Sequence, residues 1–325
     1  MKRPIPVLTL AFFSPFIAEI VFGATPLSRI ASLPPLILLY GGGAVFIREL
    51  ARRAARPWTA ILCLGAAYGL VEEGLVMQTF FSPDLFGAAA CGARFTGVNW
   101  VWAEALLGYH AVWSIAIPIA LAELCFPERR YKPWLGRAGS TVAAACYALG
   151  ALSISIVFRR FITPNFRAPA ISLIVTALVA AAFVVWALTR KPVLAEPSER
   201  ELPAMVPSPW LVGFLAFATA ALWMGLFTLP QSLRTGFRPL MPMIITACLA
   251  GGACLLLRRW VRARWTDSHS LAMIGGALIA SSAYGVNVIK QGTLLDRGGQ
   301  AVFSIVFLAL LAALGGRLRR RSPAA

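Results

Sequence analysis

Along the chain, apolar runs of roughly 18 to 25 residues alternate with short segments that hold most of the arginines and prolines. An α-helix rises 1.5 Å per residue, so each run has the length that crosses a hydrocarbon layer ~30 Å thick. In lipid the backbone must satisfy its own hydrogen bonds, which makes these runs helices. The pattern predicts about ten spans, at roughly 5–23, 32–48, 58–80, 100–125, 139–158, 169–189, 209–229, 240–257, 270–289 and 299–316. The fold class that follows is all-α, a polytopic transmembrane helix bundle. The first run, after Met1-Lys2-Arg3, resembles a secretory signal, but Pro4, Pro6, Pro15 and Glu19 interrupt it and no small-residue cleavage site follows. It is read as a retained first span.

Composition agrees with the pattern: apolar residues make up 59% of the 325 and charged residues 13%, too few to clothe a water-soluble surface. The net charge of +17 is distributed in short clusters between the runs and forms no continuous basic face, so it is assigned to topology and not to nucleic acid. With the N-terminus inside, 21 of the 30 Lys and Arg residues fall on the cytoplasmic side and nine outside. Both termini are therefore expected in the cytoplasm of a bacterial-type plasma membrane. Trp58, Trp100, Trp102, Trp134 and Trp210 flank span ends and read as interface anchors. The segment 190–208, rich in Pro, Glu and Ser, reads as a linker, and the chain divides into bundle halves at 1–165 and 166–325. Five spans in each half give them opposite orientations, the parity of an inverted-repeat transporter.

The candidate chemistry lies in the ionisable residues placed within spans: Glu19, Glu72, Glu73, Glu104 and His110, with Asn99 at one mouth. Each acid costs ~2.5–3.5 kcal/mol at the centre of a membrane helix and needs a partner or a polar cavity. All belong to the first, third and fourth spans. At 1.5 Å per residue Glu72 and Glu73 lie about 11 Å from the outer ends, Glu19 and Glu104 about 6 Å and His110 about 15 Å. At 100° per residue Asn99 and His110 share a face, whereas Glu104 points about 120° from His110. Glu72 shares a face with Gly65, and Glu73 points about 100° away, which makes Glu72 the better interior carboxylate.

Two readings of this cluster stand. A carboxylate pair beside an imidazole can take a proton from water, with Glu72 or Glu73 as general base, His110 orienting and Asn99 holding an oxyanion; Glu19 and Glu104 would line the cavity. The same carboxylates can couple protons to transport, and a third, bland reading makes them interhelical glue. None of the six cysteines has a metal-ligand spacing, and neither a metal nor a cofactor is called for. The partners expected are membrane lipid and an unidentified substrate, a peptide or a small molecule. The glycine triplet Gly41-Gly42-Gly43 is expected to serve close packing or a kink.

Glu72-Glu73-Gly74-Leu75-Val76-Met77 resembles the first motif, E-E-x-x-x-R, of the glutamic CAAX-type prenyl endopeptidase and bacteriocin-processing intramembrane proteases. Leu106-Leu107-Gly108-Tyr109-His110 resembles their second, F-x-x-x-H, on the next helix. The resemblance implies peptide hydrolysis within the membrane, with the first motif's Glu and the His activating water. Met77 and Leu106 stand where that family has Arg and Phe, and its third motif, H-x-x-x-N, has no counterpart, since the other histidine, His269, precedes Met273 at that spacing.

Overall fold

A computed structural model describes residues 4–85, 94–189, 206–261 and 265–321. Lys2, Arg3, Cys91, Arg190, Lys191, Arg200, Arg262 and Arg264, with most of the expected linker at 190–208, lie outside the described residues. Among the described residues, nine helices are long and apolar enough to cross a membrane: α2 Leu27–Arg53, α3 Trp58–Val76, α4 Trp100–Cys125, α5 Arg137–Ile162, α6 Ala170–Thr189, α7 Pro209–Thr228, α8 Leu240–Val261, α9 Asp267–Ile289 and α10 Leu294–Arg320. A shorter apolar helix, α1 Ile5–Val21, precedes them. Each of the ten predicted spans thus has its helix.

The chain divides into two units. One comprises Met1–Ala18, Ala31–Val193 and Leu226–Met243; the other comprises Glu19–Ile30, Leu194–Gly225 and Ile244–Ala325. In the second unit α9 packs along α7 and α10. Gly213 and Gly276 meet backbone to backbone there, an approach only small residues allow. Gln300 donates to the Val21 carbonyl at 3.1 Å, and Asp296 accepts from the Ser28 amide at 2.8 Å. Glu19 belongs to this unit and accepts the Thr25 hydroxyl at 2.7 Å.

In the first unit α3 packs against α4 and α6, and α2 against α5. The glycine triplet sits at the centre of this packing. A side chain at Gly42 would meet the Tyr147 backbone, and one at Gly43 would meet the Tyr68 ring. Five spans share a departure from regular α-geometry: Phe16–Val21 of α1, Ile37–Gly41 of α2, Leu70–Val76 of α3, His110–Ala116 of α4 and Phe158–Ile162 of α5 each make wide π-type turns. Such turns are uncommon and concentrate at functional sites. After α3 the chain reverses at Gln78, with φ of 59°, sooner than residue 80, and Thr79, Phe80 and Ser82 are buried as it folds back. The hairpin of β1 (Arg94–Phe95) and β2 (Val98–Asn99) follows, with Arg94 held by the carbonyls of Phe81 and Ser82.

A second polar cluster lies at the other ends of α2 and α4, and the expectation of five ionisable residues within the spans omitted it. Arg48, Glu49 and Glu123 are each at most 1% exposed. Glu123 accepts from Arg48 at 3.2 Å and twice from Arg52 at 2.7 Å. Glu49 accepts from Arg48 at 2.9 Å and from the amides of Trp134 and Leu135. The remaining Arg48 nitrogen donates to the carbonyls of Arg129, Arg130 and Lys132, and its guanidinium lies 3.4 Å from the centre of the Trp134 ring. Trp134 is therefore an internal platform and not an interface anchor, while Trp58, Trp100 and Trp210 are exposed. Two cations and two carboxylates balance, and nearly every donor is used. Removing one partner strands the others: Glu123→Ala is expected to cost about 3–5 kcal/mol, seen as a lowered unfolding midpoint in detergent, and Glu123→Gln less.

Candidate functional site

The wide turns bring three residues that are distant in the chain to one point. His110, 1% exposed, lies with Nε2 3.0 Å from Glu73 Oε1 and Nδ1 3.3 Å from Glu72 Oε2. Glu72 and Glu73 are 1% and 5% exposed. Regular 100° steps would turn one of two adjacent glutamates away, and the expectation that Glu73 points elsewhere assumed them. Both side chains leave the wide turn spanning Leu70–Val76 and bend to the imidazole on α4, one to each ring nitrogen, so the angle between them at the backbone does not decide which one reaches it. The close approach of α3 and α4 depends on glycine: a side chain at Gly65 would come within 2.8 Å of the Ala111 Cα, and one at Gly69 within 3.1 Å of the His110 Cβ.

Each member of the cluster meets a hydroxyl. Ser114 Oγ lies 3.0 Å from His110 Nδ1, one helical turn along. Thr79, on the reversed segment after α3, donates to Glu73 Oε2. Tyr40 on α2, Tyr68 on α3 and Tyr147 on α5 stand near Glu72. The Tyr40 ring is stacked at 6.1 Å and the Tyr68 ring tilted at 5.7 Å from the imidazole.

Local chemistry explains how α4 tolerates its distortion. Pro118 has no amide hydrogen to give the Ser114 carbonyl four residues back. The Ser14 hydroxyl of α1 fills that place at 2.6 Å. Tyr109 likewise donates to the Ala18 carbonyl at 2.6 Å, within the wide turn of α1. A proline and two hydroxyls thus fix the backbone that carries His110.

The other predicted site residues lie elsewhere. Asn99 is the N-cap of α4, accepting from the Trp102 amide at 3.1 Å, and stands eleven residues before His110, a rise of about 16 Å. It cannot reach an oxyanion held at the imidazole. Glu104 is half-buried six residues before His110 and does not join the cluster, and Glu19 lies in the second unit. Tyr40, Tyr68, Tyr147, Ser114 and Thr79 were not legible as site residues, because tyrosine and serine in apolar runs carry no spacing signal of their own.

The model of a family described as an uncharacterized membrane protein family matches residues 8–321. No curated protein and no solved structure matches the chain. The family description gives no activity, so the resemblance of the two short motifs to prenyl endopeptidases gains no support from it.

The hydroxyl of Thr79 is the most accessible test of the cluster's construction. Thr79→Val keeps the shape and removes the donor to a buried carboxylate, so it is expected to destabilise by about 1–3 kcal/mol, whereas Thr79→Ser should lie near wild type, both read by thermal unfolding in detergent.

Proposed function

The chain belongs to that membrane protein family, and we propose that it is a membrane-embedded hydrolase whose water is activated at Glu72, Glu73 and His110. The observation that carries this reading is the convergence of both carboxylates on one imidazole, at 3.0 and 3.3 Å. General base catalysis requires this proximity, since a base must lie within hydrogen-bond reach of the proton it takes, directly or through one water. Had the two helices presented these groups on diverging faces, hydrolysis would have no basis here.

The reaction class is acyl transfer to water. The water's O–H bond breaks as its oxygen bonds to the substrate carbonyl carbon, and the proton passes to a carboxylate of the pair. His110, flanked by both, orients the water, and the proton taken up by the carboxylate passes through it to the leaving group as the bond from the carbonyl carbon to that group breaks. The short-motif resemblance to intramembrane glutamic proteases points the same way and makes a peptide the first substrate class to try. Proton-coupled transport is the second reading, because a carboxylate–imidazole–carboxylate series can also relay protons.

The two readings separate in purified protein. An apolar peptide library incubated with the detergent-solubilised chain and read by mass spectrometry should yield cleavage products that fall by about 100-fold or more in Glu73→Gln and in His110→Gln. Products unchanged in these variants would remove the hydrolase reading. Absence of cleavage together with pH-gradient-driven uptake into proteoliposomes would install transport in its place.

We also infer that both termini face the cytoplasm of a plasma membrane of bacterial type, from the 21 to 9 partition of basic residues. A reporter active only in the cytoplasm, fused after Ala325, should be active. Activity of an export-dependent reporter at that position would reverse the orientation.

A further inference from the structure

We propose that the Glu72, Glu73 and His110 cluster is a binding site for one divalent transition cation of borderline hardness, of which Zn2+ is the representative. The proposal deepens the hydrolase reading and rests on it only for the use to which the cation is put: side chains that ligate a cation no longer serve as base and acid, so with the cation bound a metal-bound water would take the place of the carboxylate-activated one.

Charge comes first. Among the described residues, the ion pairs of Glu72 and Glu73 are both with His110, and neither carboxylate pairs with a Lys or Arg. With both carboxylates ionised, even a protonated imidazole leaves this set one positive charge short, in an interior where the balance must come from a retained proton or a bound cation. The Arg48, Arg52, Glu49 and Glu123 cluster shows the same fold meeting the same cost with equal numbers of each sign. A divalent cation beside two carboxylates and a neutral imidazole gives the balance that the first cluster lacks.

Geometry is the second line. One ligand atom from each of the three residues lies within 4.8 Å of the others. Around a tetrahedral Zn2+ with bonds of about 2.0–2.1 Å, ligand atoms stand about 3.3 Å apart. The observed 3.0 Å between His110 Nε2 and Glu73 Oε1 is close to that edge, and the third donor is within side-chain adjustment of it. Glu72 Oε2 is buried, makes no hydrogen bond and stands 3.3 Å from His110 Nδ1, the ring nitrogen that Ser114 also meets. A solvent-excluded carboxylate oxygen with no donor, beside a histidine, is an acceptor that a cation would satisfy.

The surrounding hydroxyls are the third. Histidine ligands characteristically give their second nitrogen's hydrogen to a neighbour, which fixes the tautomer, and carboxylate ligands are themselves hydrogen-bonded. Here Ser114 meets His110 Nδ1 and Thr79 holds the second oxygen of Glu73. Two carboxylates and one imidazole leave a fourth, open position, the arrangement in which zinc binds and acidifies a water. The mixed oxygen and nitrogen donor set favours Zn2+ or a neighbour over Mg2+ or Ca2+, which prefer oxygen alone.

The test measures binding without any substrate. The full chain, purified in detergent, stripped with chelator and dialysed against buffered Zn2+, should retain about one Zn2+ per chain by mass spectrometry of the metal. X-ray absorption should show a first shell of oxygen and nitrogen at about 2.0–2.1 Å with no sulfur. The double variant Glu72→Gln, Glu73→Gln should weaken retention by about 100-fold or more, and Ser114→Ala by about 10-fold or more. Three results would overturn the proposal: less than stoichiometric metal in the wild type, a sulfur shell that moves the site to the cysteines, or undiminished binding in a folded double variant. The absorption measurement is made on the wild type, so it decides the ligand set even where the double variant fails to fold. Stoichiometric metal without peptide cleavage would defeat the hydrolase reading alone; cleavage that survives complete removal of metal would defeat this one alone.

Discussion

A backbone carbonyl or amide kept from water in a lipid-embedded helix must find a partner inside the protein, and the first unit is organised around the places where helical geometry does not supply one. Five spans contain wide turns, and Pro118 withholds a further hydrogen from α4. The deficits are met by side chains from neighbouring helices: Ser14 reaches Ser114 and Tyr109 reaches Ala18, both at 2.6 Å. Distortion thus ties α1 to α4 by bonds a regular helix would have no carbonyls to make. In return it turns two consecutive glutamates toward one histidine.

The two buried polar clusters solve the same problem of charge in low dielectric by different means. At one end of α2 and α4, arginines and glutamates balance, and the leftover guanidinium hydrogens are absorbed by three loop carbonyls. That closure leaves nothing for a substrate, which marks the cluster as architecture. Around His110 the protein supplies hydroxyls and aromatic faces but no cation, and it leaves an oxygen of Glu72 without a donor. The two clusters thus differ in how far the protein itself satisfies its buried charges.

Length and charge pattern made the ten spans legible, because hydrophobic thickness and the clustering of arginines are properties of the sequence read one residue after another. The site was legible only in part. Glu72, Glu73 and His110 stand out because ionisable groups are rare in apolar runs, yet their mutual placement depends on wide turns that no residue type announces. The 100° rule therefore wrongly turned Glu73 away. Asn99 was misjudged for the opposite reason: a polar residue at a span mouth is as apt for an N-cap as for catalysis, and the eleven residues to His110 are a long climb along one helix. Glu49 and Glu123 escaped notice because a boundary drawn at residue 48 assigned their arginine partners to a solvated loop.

Glycine closes the approach of α3 and α4. Helices held by a polar pair need one bond between them, and here α3 and α4 already approach through Gly65 against Ala111 and Gly69 against His110, a contact that small residues secure without charge. Two glutamates add desolvation cost to an interface that glycine had already closed. Thr79 and Ser114 offset part of that cost with a hydroxyl each, from the reversed segment and α4. Replacing both acids by apolar residues would relieve the burden and leave the glycine-mediated packing in place, so the two carboxylates cost stability at an interface that does not need them to close.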